Sequence, residues 1–198
     1  MKLIIASNNA HKVREIKEIL HGYFSDIVTL KEAGLSIEVE EDGTTFEENA
    51  AKKARETLRL AQGFDAALAD DSGLAVDALG GAPGVYSARY AGDCHDDELN
   101  NKKLMADMKD VPDGQRSCRF VSVIALARRD GTLLETRGEV EGTLLYGPQG
   151  ENGFGYDPYF YYEPAGCSFA ELSPEQKNAV SHRKRALEAM KAALEQGK

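Results

Sequence analysis

The stretch KLIIASNNAHKVREIKEIL, residues 2–20, decides the fold class. Residues 2–6 are almost wholly apolar and predict a buried strand. In 10–20 the apolar residues Val13, Ile16, Ile19 and Leu20 fall on one face of a helix. Ser7-Asn8-Asn9, which lies between them, is a run of residues that cap helix N-termini. Strand, polar turn and helix in that order form a building unit of α/β proteins.

The pattern continues outward. Residues 27–30 and 35–39 predict short strands. Thr44 and Thr45 followed by Glu47 and Glu48 give a capping box for a helix over 45–61, closed by Gly63. Residues 66–69 (AALA) predict a short buried strand running into Asp70-Asp71-Ser72-Gly73, and LAVDAL predicts another. Residues 80–92 hold too many Gly and Pro for regular structure. The amphipathic stretch 96–109 predicts a helix with Leu99, Leu104, Met105 and Met108 facing inward. Strands are expected at 118–127, 133–140, 142–146 and 159–162, with Asp130-Gly131 as the turn between the first two. Ser173-Pro174-Glu175-Gln176 combines N-cap, first-turn proline and a reciprocal Gln, so a helix starts there; Ser181 caps a last helix over 182–195. The sum is an α/β protein on a mixed sheet, one domain over 1–198.

Bulk properties narrow the function. The chain has 198 residues, 42% apolar and 29% charged, ordinary values for a globular protein. No apolar run approaches the ~20 residues that span a bilayer. The N-terminal apolar stretch ends too soon for a signal peptide, and a charged helix follows it at once. Cys94, Cys118 and Cys167 are odd in number and far apart, with no CxxC pair. A zinc ribbon or a disulfide framework is therefore not expected, and a reducing cytoplasm is the simplest location. A net charge of −9 disfavours binding to a nucleic-acid polymer but permits a small polyphosphate in a local basic site.

Four groups of residues can carry chemistry. Ser7, Asn9 and Lys12 stand at a helix start, where free N–H groups and the dipole suit phosphate; an ordinary cap with a solvated lysine has the same residues. No GxxxxGK[ST] is present, so this is not a P-loop. Glu40-Glu41 and Asp70-Asp71 supply carboxylates from separate segments, which suits magnesium; for Glu40-Glu41 taken alone a solvated acidic turn is the alternative. Strand alternation sends Asp70 and Asp71 to opposite faces, so one of the two faces the site. Gly153-Phe154-Gly155-Tyr156-Asp157-Pro158 offers close backbone approach, an aromatic for stacking and a carboxylate for ring N–H groups; a plain tight loop is the alternative. Lys177 and Ser181-His182-Arg183 place cations at helix starts, where an anion or a base acceptor would compensate them.

Taken together these segments resemble the non-canonical purine NTP pyrophosphatase family, also called inosine triphosphate pyrophosphatases or XTP/dITP diphosphatases. The resemblance runs through SNNAHKVRE (7–15), EEDGTTFEENAAKKA (40–54), ADDSGLAVDALGGAPGVYSARY (69–90), GFGYDP (153–158) and ELSPEQKNAVSHR (171–183). Ser7 stands where many members have Thr. The resemblance implies hydrolysis of ITP, dITP and XTP to the monophosphate plus pyrophosphate, with Mg2+ as cofactor. It implies triphosphate binding by Ser7, Asn8, Asn9, Ala10, His11 and Lys12 with help from Lys53, and substrate contact by Ser72. Glu41 and Asp71 would hold magnesium, and Asp71 would accept the proton. Phe154, Gly155, Tyr156 and Asp157 would form the base pocket, completed by Lys177, His182 and Arg183. The implied fold is an elongated two-lobed α/β structure on a long twisted mixed sheet, with substrate in the cleft between lobes, usually as a homodimer. Related pyrophosphatases resembling septum-formation inhibitors act on modified pyrimidines; ADDSGL and SHR speak against that group.

Overall fold

The computed structural model describes residues 1–196, apart from the side chain of His11. Seven strands form one mixed sheet in the order β2-β1-β3-β4-β5-β6-β7. They are β1 (Lys2–Ile5), β2 (Asp26–Thr29), β3 (Ala66–Val76), β4 (Ser117–Arg128), β5 (Leu133–Leu144), β6 (Phe160–Tyr162) and β7 (Cys167–Ser168). β1 runs parallel to both β2 and β3, whereas β5–β6 and β6–β7 are antiparallel. Five α-helices accompany them among the described residues: α1 (Ala10–Ile19), α2 (Phe46–Leu60), α3 (Asp97–Asp107), α4 (Pro174–Val180) and α5 (His182–Gln196). This is the expected α/β class.

The chain divides into two compact units. Unit 1 comprises Met1–Asp71, Ser122–Gly138 and Arg183–Lys198. Its core joins Leu3 and Ile5 of β1 and Leu68 of β3 to Ile16 of α1, Leu20 just beyond it and Leu187 of α5, all fully buried. A parallel strand covered on both faces reads as a continuous apolar run, which is why KLII needed no alternation to declare itself. Unit 2 comprises Ser72–Val121 and Glu139–His182. Its core gathers Leu74, Leu104, Met108 and a cluster of rings, with Phe120, Phe160 and Phe169 in mutual contact.

Both predicted capping boxes are present. Thr45 and Glu48 cap α2 reciprocally, and Ser173 and Gln176 do the same for α4.

Four expectations need correction. Residues 35–43 have no regular structure, so no strand forms at 35–39; alternating side chains do not make a strand where no neighbour completes the ladder. Residues 66–76 form one strand of 11 residues and not two, so Asp70 and Asp71 lie in mid-strand. Gly73, between the two expected strands, is there for space: a Cβ would come within 2.3 Å of Ser87 Oγ and 2.5 Å of Gly84 O. β5 is likewise continuous through Gly142, where a Cβ would meet the Phe160 ring at 2.5 Å. On α3, Leu99 is exposed and Asn100 takes the inner place, accepting from Ala91 N at 2.7 Å and donating to Ala88 O at 3.2 Å.

Candidate active site

In unit 1 the first helix starts on Asn9. Its Oδ1 accepts from Lys12 N at 3.2 Å and its carbonyl accepts from Val13 N at 3.0 Å. Ser7 Oγ in turn accepts from Asn9 N at 3.2 Å and braces the turn. Asn8, Asn9 and Ala10 are exposed, and no acidic residue occupies the first turn. The positive end of the helix therefore faces outward without a fixed counter-charge on its own turn, the condition that favours an anion. The side chain of His11 lies outside the described residues.

Asp70 and Asp71 are neighbours in β3 with opposite electrostatics. The Asp70 side chain is fully buried. Lys12 Nζ donates to its Oδ1 at 2.8 Å, and Arg183 Nε donates to its Oδ2 at 2.6 Å. Burial alone would raise its pKa, but the charges of Arg183 and Lys12 outweigh that and hold the carboxyl far below the usual range. Asp71 is also buried, and its Oδ2 has no hydrogen-bond partner among the described residues. Burial, reinforced by the negative charge of Glu41, pushes its pKa up to about 6. The Asn49 amide lies near enough to oppose the rise without completing a hydrogen bond. Glu41 itself is paired with Lys53 of α2.

Among the described residues no group of three or more His, Cys, Asp or Glu side chains forms a metal cage. Magnesium does not need one, since it takes one or two carboxylates and fills its remaining positions with water and phosphate oxygens. Two carboxylates that repel each other, one with an orphaned buried oxygen, fit such a hard cation.

Unit 2 holds the second group. Phe154 N donates to Asp157 Oδ2 at 2.8 Å, which closes the loop on a buried carboxylate. Lys177 pairs with the same Asp157 and places its ammonium 4.7 Å above the Phe154 ring. Phe154 is exposed, and an exposed aromatic ring is a surface on which a flat ligand can stack. Gly153 is required twice over, by φ +79° and by the 2.2 Å separation a Cβ would have from Asp157 Oδ2. Tyr156 is different: its ring is buried in the core and its hydroxyl donates to Ser87 O at 2.7 Å. His182 is buried and stacked on Phe120, with centroids 5.0 Å apart and planes 15° from parallel.

The sequence-predicted residues thus fall into three groups. Lys12 and Arg183 converge on Asp70, and Lys53, Glu41 and Asp71 form a second cluster in unit 1. Phe154, Asp157 and Lys177 form the third, in unit 2. Arg183, expected with the base pocket, has its guanidinium fixed in unit 1 between Asp70 and Glu15. Asn49, Asp97 and Asn101 were not picked out from the sequence; the only signal for the last two is their spacing, a polar i,i+4 pair on α3.

Fold and site together define an α/β protein in which lysines pair with buried and half-buried carboxylates beside the start of its first helix. Known proteins make the assignment specific. The model of the Ham1 family matches residues 3–193. The chain is 49% identical to the dITP/XTP pyrophosphatase of Clostridium perfringens over 197 residues, 98% of this chain and 97% of that one. It is 50% identical to the dITP/XTP pyrophosphatase of Leuconostoc mesenteroides, over 96% of this chain and 94% of that one. The solved Staphylococcus aureus Ham1 protein superposes with a TM-score of 0.90 at 40% identity, covering 100% of both chains. The chain belongs to the Ham1 family.

Proposed function

We propose that this protein hydrolyses non-canonical purine nucleoside triphosphates, dITP, ITP and XTP, to the monophosphate and pyrophosphate, and so cleanses the nucleotide pool. The observation that carries the reading is the divergence of Asp70 and Asp71: one carboxylate is locked in ion pairs, and its neighbour has a free oxygen and a pKa near that of a working base. The names of the relatives point to the same chemistry.

In this reading unit 1 serves the polyphosphate. Ser7, Asn8, Asn9, Ala10 and His11 line the start of α1 and offer N–H groups and hydroxyl or amide contacts. Lys12 and Lys53 neutralise charge growing on the leaving pyrophosphate. Asp71 Oδ2 takes the proton of the water that attacks the α-phosphorus, and Ser72 beside it contacts substrate. A magnesium ion held by Glu41 and Asp71 supplies charge neutralisation and polarisation of the phosphate oxygens when bound.

Unit 2 serves the base. Phe154 stacks on the purine, while Gly155 and Tyr156 shape the loop beneath it. Asp157 accepts a ring N–H, and Lys177 and His182 present donors toward a 6-keto oxygen; Arg183, whose guanidinium is held by Asp70 and Glu15, serves the polyphosphate side instead. A 6-amino group would meet donors with a donor, and such a mismatch in a dry site discriminates by up to ~10⁴. The whole chain acts as one catalytic domain. A homodimer is part of the same proposal. A cytoplasmic location fits three cysteines that form no disulfide. No described helix is long and apolar enough to cross a membrane.

A panel of dITP, ITP, XTP, dATP, dGTP and a modified uridine triphosphate, read by pyrophosphate release with magnesium varied, tests the reading. Fast release from the first three and dependence on magnesium are expected. Release of orthophosphate, or a preference for dATP or the pyrimidine, contradicts it.

A further inference from the structure

We propose that Asp97 and Asn101 of α3 are positioning residues that set the base-recognition loop, and with it the apparent affinity for the purine. The inference rests on the proposed function and adds two residues to its base site.

Three consecutive peptide groups in the loop are each tied to a side chain. Phe154 N donates to Asp157 Oδ2 at 2.8 Å. Gly155 N donates to Asp97 Oδ2 at 2.8 Å, and Gly155 O accepts from Asn101 Nδ2 at 2.9 Å. The last two bonds fix the peptide planes on either side of the Gly155 Cα, which sits at φ +60°. A glycine is the residue with most freedom to lose, so without these ties Gly155 would be the hinge of the loop. Phe154 is next to it, exposed, with the Lys177 ammonium over its ring. The orientation of that ring follows the Gly155 backbone.

Asp97 and Asn101 are four residues apart and share one face of α3. The other end of α3 is anchored in the core by Leu104 and Met108, and Asn100 ties it to the 88–91 backbone. The loop is therefore held against a fixed strut. Asn101 makes this tie at a cost: its Oδ1 is buried with no partner among the described residues. An apolar side chain of similar size would avoid that loss, so stability alone does not account for an asparagine here.

The test is steady-state kinetics on the full chain with dITP, alongside thermal melts and inhibition by inorganic pyrophosphate, which has no base. For Asn101→Leu and Asp97→Ala, KM for dITP should rise roughly tenfold while kcat changes less than about threefold, the signature of a displaced binding platform. The thermal midpoint should stay within about 4 °C of wild type. Pyrophosphate inhibition should stay within about twofold, because the polyphosphate groups are untouched. Asp97→Asn, whose amide oxygen can still accept from Gly155 N, should restore most of the affinity. The inference is overturned by an unchanged KM in both disruptive variants, by an equal loss of pyrophosphate binding, or by Asp97→Asn as impaired as Asp97→Ala. A wild type that releases no pyrophosphate from dITP is a different failure: it sinks the reading of the whole site and this inference with it.

Discussion

Arg183 Nε donates to Asp70 Oδ2 at 2.6 Å, and the two side chains are only 5% and 0% exposed. A charge pair this deep survives because Lys12 and Glu15 complete the network on either side. It assigns Asp70 a task of holding cations in place and leaves Asp71 as the carboxylate free to act.

Breaking that pair from one side should cost much more than a surface substitution. Asp70→Asn or Arg183→Met is expected to lower unfolding free energy by about 3–5 kcal/mol at pH 7, read by urea denaturation. The pKa of Asp70 is lowered by folding, so its stabilisation is present above its ordinary value of 3.8 and fades as pH falls below that. The gap between wild type and Asp70→Asn should accordingly shrink in acid.

Because Arg183 is anchored on Asp70, Arg183→Ala should reduce turnover of dITP and dATP in similar proportion. A loss confined to dITP would place the guanidinium on the base.

Asp71 has the opposite sign. Its folded pKa, about 6, lies above the ordinary 3.8, so its contribution is fully present below 3.8 and is lost as pH rises through 6. Metal-free Asp71→Asn should therefore be more stable than metal-free wild type at pH 8, by on the order of 1–3 kcal/mol. The difference should vanish near pH 4 and contract when magnesium is added to wild type. Denaturation with chelator at several pH values checks this.

Gly153→Ala combines a left-handed φ with a collision against the carboxylate that anchors Phe154 and Lys177. A loss of about 1 kcal/mol or more in stability is expected, with a marked rise in KM for dITP.

Much of this was legible in the sequence. Ser173-Pro174-Glu175-Gln176 and Thr45-x-x-Glu48 announced their helices because caps are local chemistry. The first strand and helix declared themselves through their burial pattern. The strand expected over 66–69 and the one expected after Gly73 are a single strand, and the approach of Ser87 is what requires glycine at 73. Tyr156 and Phe154 were indistinguishable as aromatics in one loop; which ring is buried depends on the distant Ser87 carbonyl and the core beneath. The divergence of Asp70 and Asp71 follows from strand alternation, but the partner of each side chain came from segments more than a hundred residues away in the case of Arg183. Asp97 and Asn101 bond to Gly155, more than fifty residues along the chain, and their i,i+4 spacing on α3 does not name that partner.

The central claim is that Asp71 deprotonates the attacking water and Asp70 does not. Products of dITP hydrolysis should be analysed with magnesium for wild type, Asp71→Asn and Asp70→Asn, with folding confirmed for each. Wild type should give the monophosphate and pyrophosphate in equal amounts. Asp71→Asn should fall at least ~10²-fold in kcat with pyrophosphate binding retained, and Asp70→Asn should mainly weaken binding through Lys12. Near-normal kcat in folded Asp71→Asn, or orthophosphate as the product, would contradict the account.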